Sequence, residues 1–192
     1  MQEFIHHKIQ TIDNLMASYN DVQQLYIRSA YEFDDRFLEL LSSCLEFFKI
    51  HGTNTQVSEV LNIISMFETS KKGIHPFKLE KVNSGRRELK MMIAYHGIEK
   101  LHQLISITYE KELHKLEEAE EILSNLIFTL NQSGFLDDKR IRELQTIDQI
   151  KVFWLELLNV NGSISGINKK LRLKLIPEDI YLLIEKIILR FT

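Results

Sequence analysis

The fold of this chain is decided by residues 86–131, which read RRELKMMIAYHGIEKLHQLISITYEKELHKLEEAEEILSNLIFTLN. Apolar residues recur there every three or four positions, which is the spacing of one face of an α-helix. That face consists of Ala94, Ile98, Leu101, Ile105, Leu116, Ala119, Leu123, Leu126 and Leu130. A helix of about 46 residues is about 69 Å long, whereas a compact chain of this size is about 40 Å across. The pattern therefore predicts a long helix that pairs with another long element, with Gly97 as its weak point.

A second periodic stretch lies between Ile5 and Phe47. Its apolar stripe drifts slowly around a helical wheel, as a repeat of nearly 3.5 residues does on a helix of 3.6 residues per turn. We expect one long helix, or two helices with a break at Asn20–Asp21 or between Ser29 and Asp35. A shorter helix capped by Thr53 or Thr55 follows. The first two-thirds of the chain are thus predicted to form an elongated antiparallel hairpin or bundle of long, coiled-coil-like helices.

The long periodic stretch ends at residues 131–134, whose residue types commonly end a helix, and shorter apolar segments follow. We therefore predict two domains, a long-helix bundle over 1–133 and a compact helical unit over 134–192. Within the second, residues 163–176 fit two structures. Ile164, Ile167, Leu171 and Leu175 have helical spacing, while alternating leucine and basic residues predict a short β piece over 169–176.

Composition supports an all-α fold and also bears on the cellular compartment of the protein. Of 192 residues, 44% are hydrophobic, and there are only 7 glycines and 2 prolines, too few turns for a β-sandwich or barrel. The longest apolar run, Ile180–Ile184, is far shorter than a membrane span. A single cysteine, Cys44, and an amino terminus unlike a secretory signal favour the cytoplasm. We expect no membrane partner.

Sequence motifs of catalysis are not found. The chain has no glycine-rich nucleotide loop, HExxH zinc helix or paired CxxC. Glu-x-x-His, a spacing used by di-iron helical bundles, occurs at Glu3/His6 and Glu99/His102, a number of pairs that chance alone readily produces in this composition. We therefore predict a protein that is not an enzyme, with no cofactor, no metal and no small-molecule substrate. A metal-dependent helical-bundle enzyme is the least favoured alternative.

Polar residues interrupt the apolar stripe of the long helix. Thr108 and Glu112 fall in its centre, and Lys115 lies nearby. A polar layer within a helical seam commonly fixes register or partner choice. We interpret these three residues as an interaction seam. The primary prediction is a cytoplasmic, non-catalytic helical scaffold that binds a protein partner, or itself as a dimer or larger homo-oligomer, through long amphipathic helices.

The alternative function is DNA binding by a transcriptional regulator. Residues 134–192 hold ten basic and eight acidic residues, a net charge of +2, although the whole chain is at −3. A buried helix, a turn at 161–162 and a basic helix would resemble a helix-turn-helix unit. Two serines could cap that helix and contact phosphate, while basic side chains neutralise the DNA backbone. The predicted contact residues are Ser163, Ser165, Lys169, Lys170, Arg172 and Lys174.

Overall fold

The computed structural model describes residues 4–160 and 162–191, which fold into eight α-helices. In chain order they are α1 Ile5–Ile27, α2 Phe33–His51, α3 Asn54–Lys71, α4 Arg86–Gln132, α5 Asp138–Glu143, α6 Ile147–Val160, α7 Gly162–Leu171 and α8 Pro177–Ile188. Within this part of the chain, the β-type pairing is a single bridge between Ile74 and Lys81. The predicted all-α class, with a long helix packed against others, is confirmed.

The periodic stretch that begins at Ile5 forms two helices, α1 and α2, and the break between them lies in one of the predicted places. Between α1 and α2 the chain turns at Ser29, whose φ of 51° lies in the left-handed region. Farther along, Thr53 caps α3 with a reciprocal capping box, in which Thr53 and Gln56 each accept a hydrogen bond from the other's backbone. The threonine cap that was predicted from the sequence is therefore confirmed.

The long helix α4 continues through Gly97 without interruption, although this glycine was predicted to be its weak point. The reason lies in packing. A Cβ atom at Gly97 would lie 2.8 Å from Ile63 Cγ2 and 3.0 Å from Phe37 Cζ. Glycine is present because α2 and α3 approach the backbone of α4 closely here, so the residue that weakens helix propensity also permits the contact.

The short β piece predicted over 169–176 is wrong. Helix α7 runs to Leu171, and the backbone N–H of Leu175 donates to the Leu171 carbonyl at 3.0 Å. Leu171 and Leu175 are buried, whereas Leu173 is 79% exposed. A strand would have placed all three leucines on one face. The apolar residues instead follow the helical spacing, and Pro177 opens α8 directly afterwards.

The described chain divides into two compact units. We call residues 11–109 the four-helix unit, and residues 4–10 with the described part of 110–191 the terminal unit. The core of the four-helix unit is rich in aromatic residues, with stacked and edge-on contacts among Phe33, Phe37 and Phe67. The core of the terminal unit contains residues from α4 to α8. These units divide inside α1 and α4; the domain boundary near residue 134 stays a prediction.

Within the four-helix unit, α1 and α4 are antiparallel. The Tyr26 hydroxyl donates to the Met91 carbonyl at 3.4 Å, and the Tyr19 and His102 rings lie 5.0 Å apart. At the start of α2, Asp34 accepts a hydrogen bond at 2.8 Å from Lys90, near the start of α4. The α1–α2 loop and the α3–α4 loop therefore lie at the same end of this unit.

Candidate interaction surfaces

The predicted seam residue Glu112 is the centre of a buried ionic cluster in the terminal unit. Lys8 Nζ lies 3.1 Å from Glu112 Oε1, and Lys115 Nζ lies 2.6 Å from Oε2. Glu112 is 3% exposed and Lys8 is 7% exposed. Burial by itself raises the pKa of Glu112, but the hydrogen bonds and positive charge of Lys115 and Lys8 outweigh it, so the pKa is lowered. The cluster fixes α1 against α4 in this unit.

Thr108, the other central seam residue, also finds hydrogen-bonding partners within this chain, in the four-helix unit. Its hydroxyl donates to the Leu104 carbonyl at 2.8 Å and accepts from Gln56 Nε2 at 2.9 Å. This contact joins α3 to α4. Both polar interruptions of the stripe thus hold helices of this chain together, and a role for Thr108, Glu112 or Lys115 in binding a partner stays a prediction.

A second buried carboxylate, Asp179, was not identified from the sequence. It is completely buried and accepts hydrogen bonds from the backbone N–H groups of Ile5 and His6, at 3.2 and 3.1 Å. His6 Nδ1 lies 2.6 Å from the same carboxylate. Asp179 thereby satisfies donors in the first turn of α1, which no helical carbonyl can reach. An acid three positions into α8 looked like an ordinary helix-start residue, so nothing in the sequence indicated this long-range contact.

The surface carboxylates of α4 in the terminal unit also bind cations. Lys186 Nζ lies 2.7 Å from Glu120, and Arg190 contacts the other oxygen of the same carboxylate. Lys174 pairs with Glu118. Burial acts to raise the pKa of Glu120, but its two cationic partners lower it overall. Three of the ten basic residues in 134–192, namely Lys174, Lys186 and Arg190, therefore pair with acids of α4.

The six predicted DNA contacts lie on α7 and in the turn that follows it. Ser163, Lys169, Lys170, Arg172 and Lys174 are exposed, and Ser165 is partly buried. A hydrogen bond of 3.3 Å from Trp154 to Asn168 fixes α7 on α6. The structure thus brings these residues to one helix and its end. Residue 161, in the predicted turn, lies outside the described residues.

The most strongly basic segment of the chain is residues 71–90, which we call the basic loop. It holds seven basic residues and two acidic ones, a net charge of +5. The exposed cations are Lys71, Lys72, Lys78, Lys81, Arg86 and Arg87. Among the described residues, no carboxylate lies within ion-pair distance of Lys72, Lys78, Lys81 or Arg87. The sequence analysis missed this segment.

The basic loop also exposes two large apolar side chains at its tip. Phe77 is 69% exposed and Leu79 is 77% exposed. The backbone there is held by hydrogen bonds from His75 N to Glu80 O at 2.9 Å and from Leu79 N to His75 O at 2.8 Å. The loop therefore presents an ordered apolar tip among unpaired cations.

Other candidate chemistry is weak. Burial raises the pKa of the Cys44 thiol to about 12, so the thiolate needed for a nucleophile does not form near neutral pH. Residues 4–160 and 162–191 contain no group of three or more His, Cys, Asp or Glu side chains that could hold a metal ion. No helix in the same ranges is long and apolar enough to cross a bilayer.

Comparison with known proteins gives no relative, since no family description, curated protein or solved structure matches this chain.

Proposed function

We propose that this chain is a non-catalytic helical interaction protein, which binds a protein partner or a second copy of itself through α4. The observation that carries the proposal is that Met92, Tyr95 and Ile107, three large apolar residues of α4 in the four-helix unit, are each more than half exposed. The stripe that forms the core lies on other positions of the same helix. Exposed apolar anchors on a helix are typical of surfaces that bind another helix or a groove.

The buried polar groups support the same proposal. Glu112, Thr108 and Asp179 each join two helices, and each has its hydrogen-bonding partners within the chain. Such contacts fix helices in register. A long helix with a defined exposed side is the form of surface that a scaffold offers to its partners.

Sedimentation velocity over a wide concentration range tests self-association through these residues. We expect the wild-type chain to associate, and the variant Met92→Ser/Tyr95→Ser/Ile107→Ser to remain a monomer with an unchanged circular dichroism spectrum. The matched control is Ile50→Ser/Leu61→Ser, which removes exposed apolar side chains from α2 and α3. If the wild-type chain is a monomer, a partner captured from the native host must be lost with the triple variant and retained by the control. Association or capture that the triple variant leaves intact would contradict the proposal.

The second candidate function is DNA binding by residues 134–192. The observation that favours it is an exposed face on α7 that combines Gly162, Ser163 and Gly166 with Lys169 and Lys170. Small residues let a phosphate backbone come close, and the lysines neutralise its charge. Fluorescence anisotropy with duplex DNA at increasing salt is the test. Salt-dependent binding that disappears in Lys169→Ala/Lys170→Ala supports this function, and binding that the variant leaves unchanged contradicts it.

A further inference from the structure

We propose that the basic loop is a docking site for a membrane surface that carries anionic lipids. The inference concerns a different partner from the one assigned to α4 and goes beyond that function. It departs from the sequence-based expectation of no membrane partner, which rested on the lack of an apolar run long enough to span a bilayer. A peripheral site needs no such run, because exposed cations and apolar side chains that reach the headgroup region are sufficient.

Charge supplies the first argument. The basic loop has a net charge of +5, with seven basic and two acidic residues. The remainder of the four-helix unit holds four basic and ten acidic residues, a net charge of −6. Positive charge is therefore concentrated along the sequence in the basic loop. At the same end of the unit, the connection between α1 and α2 and the first turn of α2 hold Glu32, Asp34 and Asp35, of which Asp34 pairs with Lys90. Clustered lysine and arginine residues are the feature by which proteins recognise anionic lipids.

The apolar tip supplies the second argument. Phe77 and Leu79 flank Lys78, and both side chains are more than two-thirds exposed. Phenylalanine and leucine gain free energy when they enter the boundary between headgroups and acyl chains. A lysine between them can extend its ammonium group back to the phosphates while its stem stays with the apolar chains. The spacing of the three residues thus suits insertion of the tip.

The backbone supplies the third argument. Leu79 has a φ of 56°, in the left-handed region that a branched apolar residue rarely adopts. The surrounding hydrogen bonds hold it there, including one from Val82 N to the Gly73 carbonyl at 2.9 Å. Strained backbone that the neighbouring structure maintains is concentrated at functional sites. Here the strained residue carries an apolar side chain that stays in solvent, two positions after the exposed Phe77.

A lipid surface fits these observations better than a nucleic acid does. Cations attract any polyanion, and an aromatic ring such as Phe77 could stack on a base. Leu79 has no ring to stack, and its exposure is explained by insertion among acyl chains. The two apolar residues therefore distinguish the two classes of partner, and the experiment depends on them.

Flotation of the full chain with vesicles of phosphatidylcholine alone, or of phosphatidylcholine with phosphatidylserine, tests the proposal. We expect binding to the anionic vesicles alone. Lys78→Ala/Lys81→Ala should weaken it about 30-fold, because each cation near such a surface contributes about fivefold. Phe77→Ser/Leu79→Ser should weaken it about tenfold or more through lost apolar burial.

Matched controls come from the terminal unit. Lys169→Ala/Lys170→Ala removes the same charge, and Leu173→Ser removes an equally exposed leucine; both should bind as the wild type does. Absence of binding at low ionic strength would overturn the proposal, as would loop variants that bind normally. Binding that needs Lys78 and Lys81 but tolerates Phe77→Ser/Leu79→Ser would also overturn it, because the loop would then be a general polyanion site.

Discussion

The two units of this chain have nearly the same charge composition but differ in where their cations lie and in how many of them pair with a carboxylate. The terminal unit holds 13 basic and 14 acidic residues, and the four-helix unit holds 11 and 12. In the terminal unit, cations such as Lys8 and Lys186 contact carboxylates of α4. In the four-helix unit, seven of the basic residues are concentrated in the basic loop, most of them without an acidic partner. Net charge therefore does not show which cations are available to a partner. That depends on whether each cation is already paired with a carboxylate of the chain.

Removing the buried carboxylate of the terminal unit should have the largest effect on stability. In Glu112→Ala, Lys8 is left charged and buried with its acceptor gone, which costs about 3–5 kcal/mol of unfolding free energy. Urea denaturation measures the change. The control is Glu117→Ala on the exposed side of α4, which should alter stability by less than about 0.5 kcal/mol. Similar values for the two variants would mean that the ionic cluster does not hold α1 in place.

Asp179→Ala should have the next largest effect. The backbone N–H groups of Ile5 and His6 would lose their acceptor, and each unsatisfied buried donor costs about 1–3 kcal/mol. Because the first turn of α1 can partly rehydrate, we expect about 2 kcal/mol, measured by thermal and urea unfolding. Glu178→Ala is the neighbouring exposed control. Faster hydrogen exchange at the start of α1 should accompany the loss in Asp179→Ala, and unaltered exchange would contradict the assignment.

Two glycine substitutions should change stability in opposite directions. In Gly97→Ala, the new methyl group would meet Ile63 and Phe37 at 2.8 and 3.0 Å. Overpacking costs about 1–3 kcal/mol and outweighs the gain of about 1 kcal/mol in helix propensity. In Gly166→Ala, the methyl group meets nothing within 4 Å, so α7 should gain about 0.5–1 kcal/mol. Stabilisation by both substitutions, measured by thermal unfolding, would show that α4 does not need glycine for packing.

The smallest effect should come from the surface cluster at Glu120. Its folded-state pKa is lowered by Lys186 and Arg190, so its contribution is present above the pKa of the unfolded chain and is lost as pH falls through the lowered value. Glu120→Gln should cost about 0.5–1 kcal/mol at neutral pH, since exposed ion pairs contribute little. Urea unfolding from pH 7 to pH 3 should show the difference from wild type shrinking, with Glu121→Gln as control. A difference that grows on acidification would refute the pairing.

Periodicity predicted the helices well because the apolar face of a helix has to recur every three or four residues. The break near Ser29 and the cap at Thr53 followed from local rules that tertiary contacts did not override. The β alternative over 169–176 failed because one exposed leucine, Leu173, happens to alternate with basic residues. Local pattern alone cannot tell a buried leucine from an exposed one in so short a segment.

The candidate sites were harder to predict, for reasons of distance along the chain. Asp179 binds the start of α1 across more than 170 positions, and no local spacing signals such a contact. The role of Gly97 depends on side chains from two other helices. The basic loop spans the end of α3 and the start of α4, so its charge is diluted when either helix is considered by itself. That most of its cations lack an acidic partner is evident only from the contacts in the folded structure.

Lysine acylation measured by mass spectrometry tests the contrast between the two units most directly. A reagent that modifies neutral amines reports how exposed and unpaired each lysine is in the native chain. Lys72, Lys78 and Lys81 of the basic loop should react rapidly, and Lys8 should react only at the rate at which the terminal unit opens. If Lys8 is modified as fast as Lys78, or if Lys78 and Lys81 are protected, the distinction between internal and displayed charge is wrong.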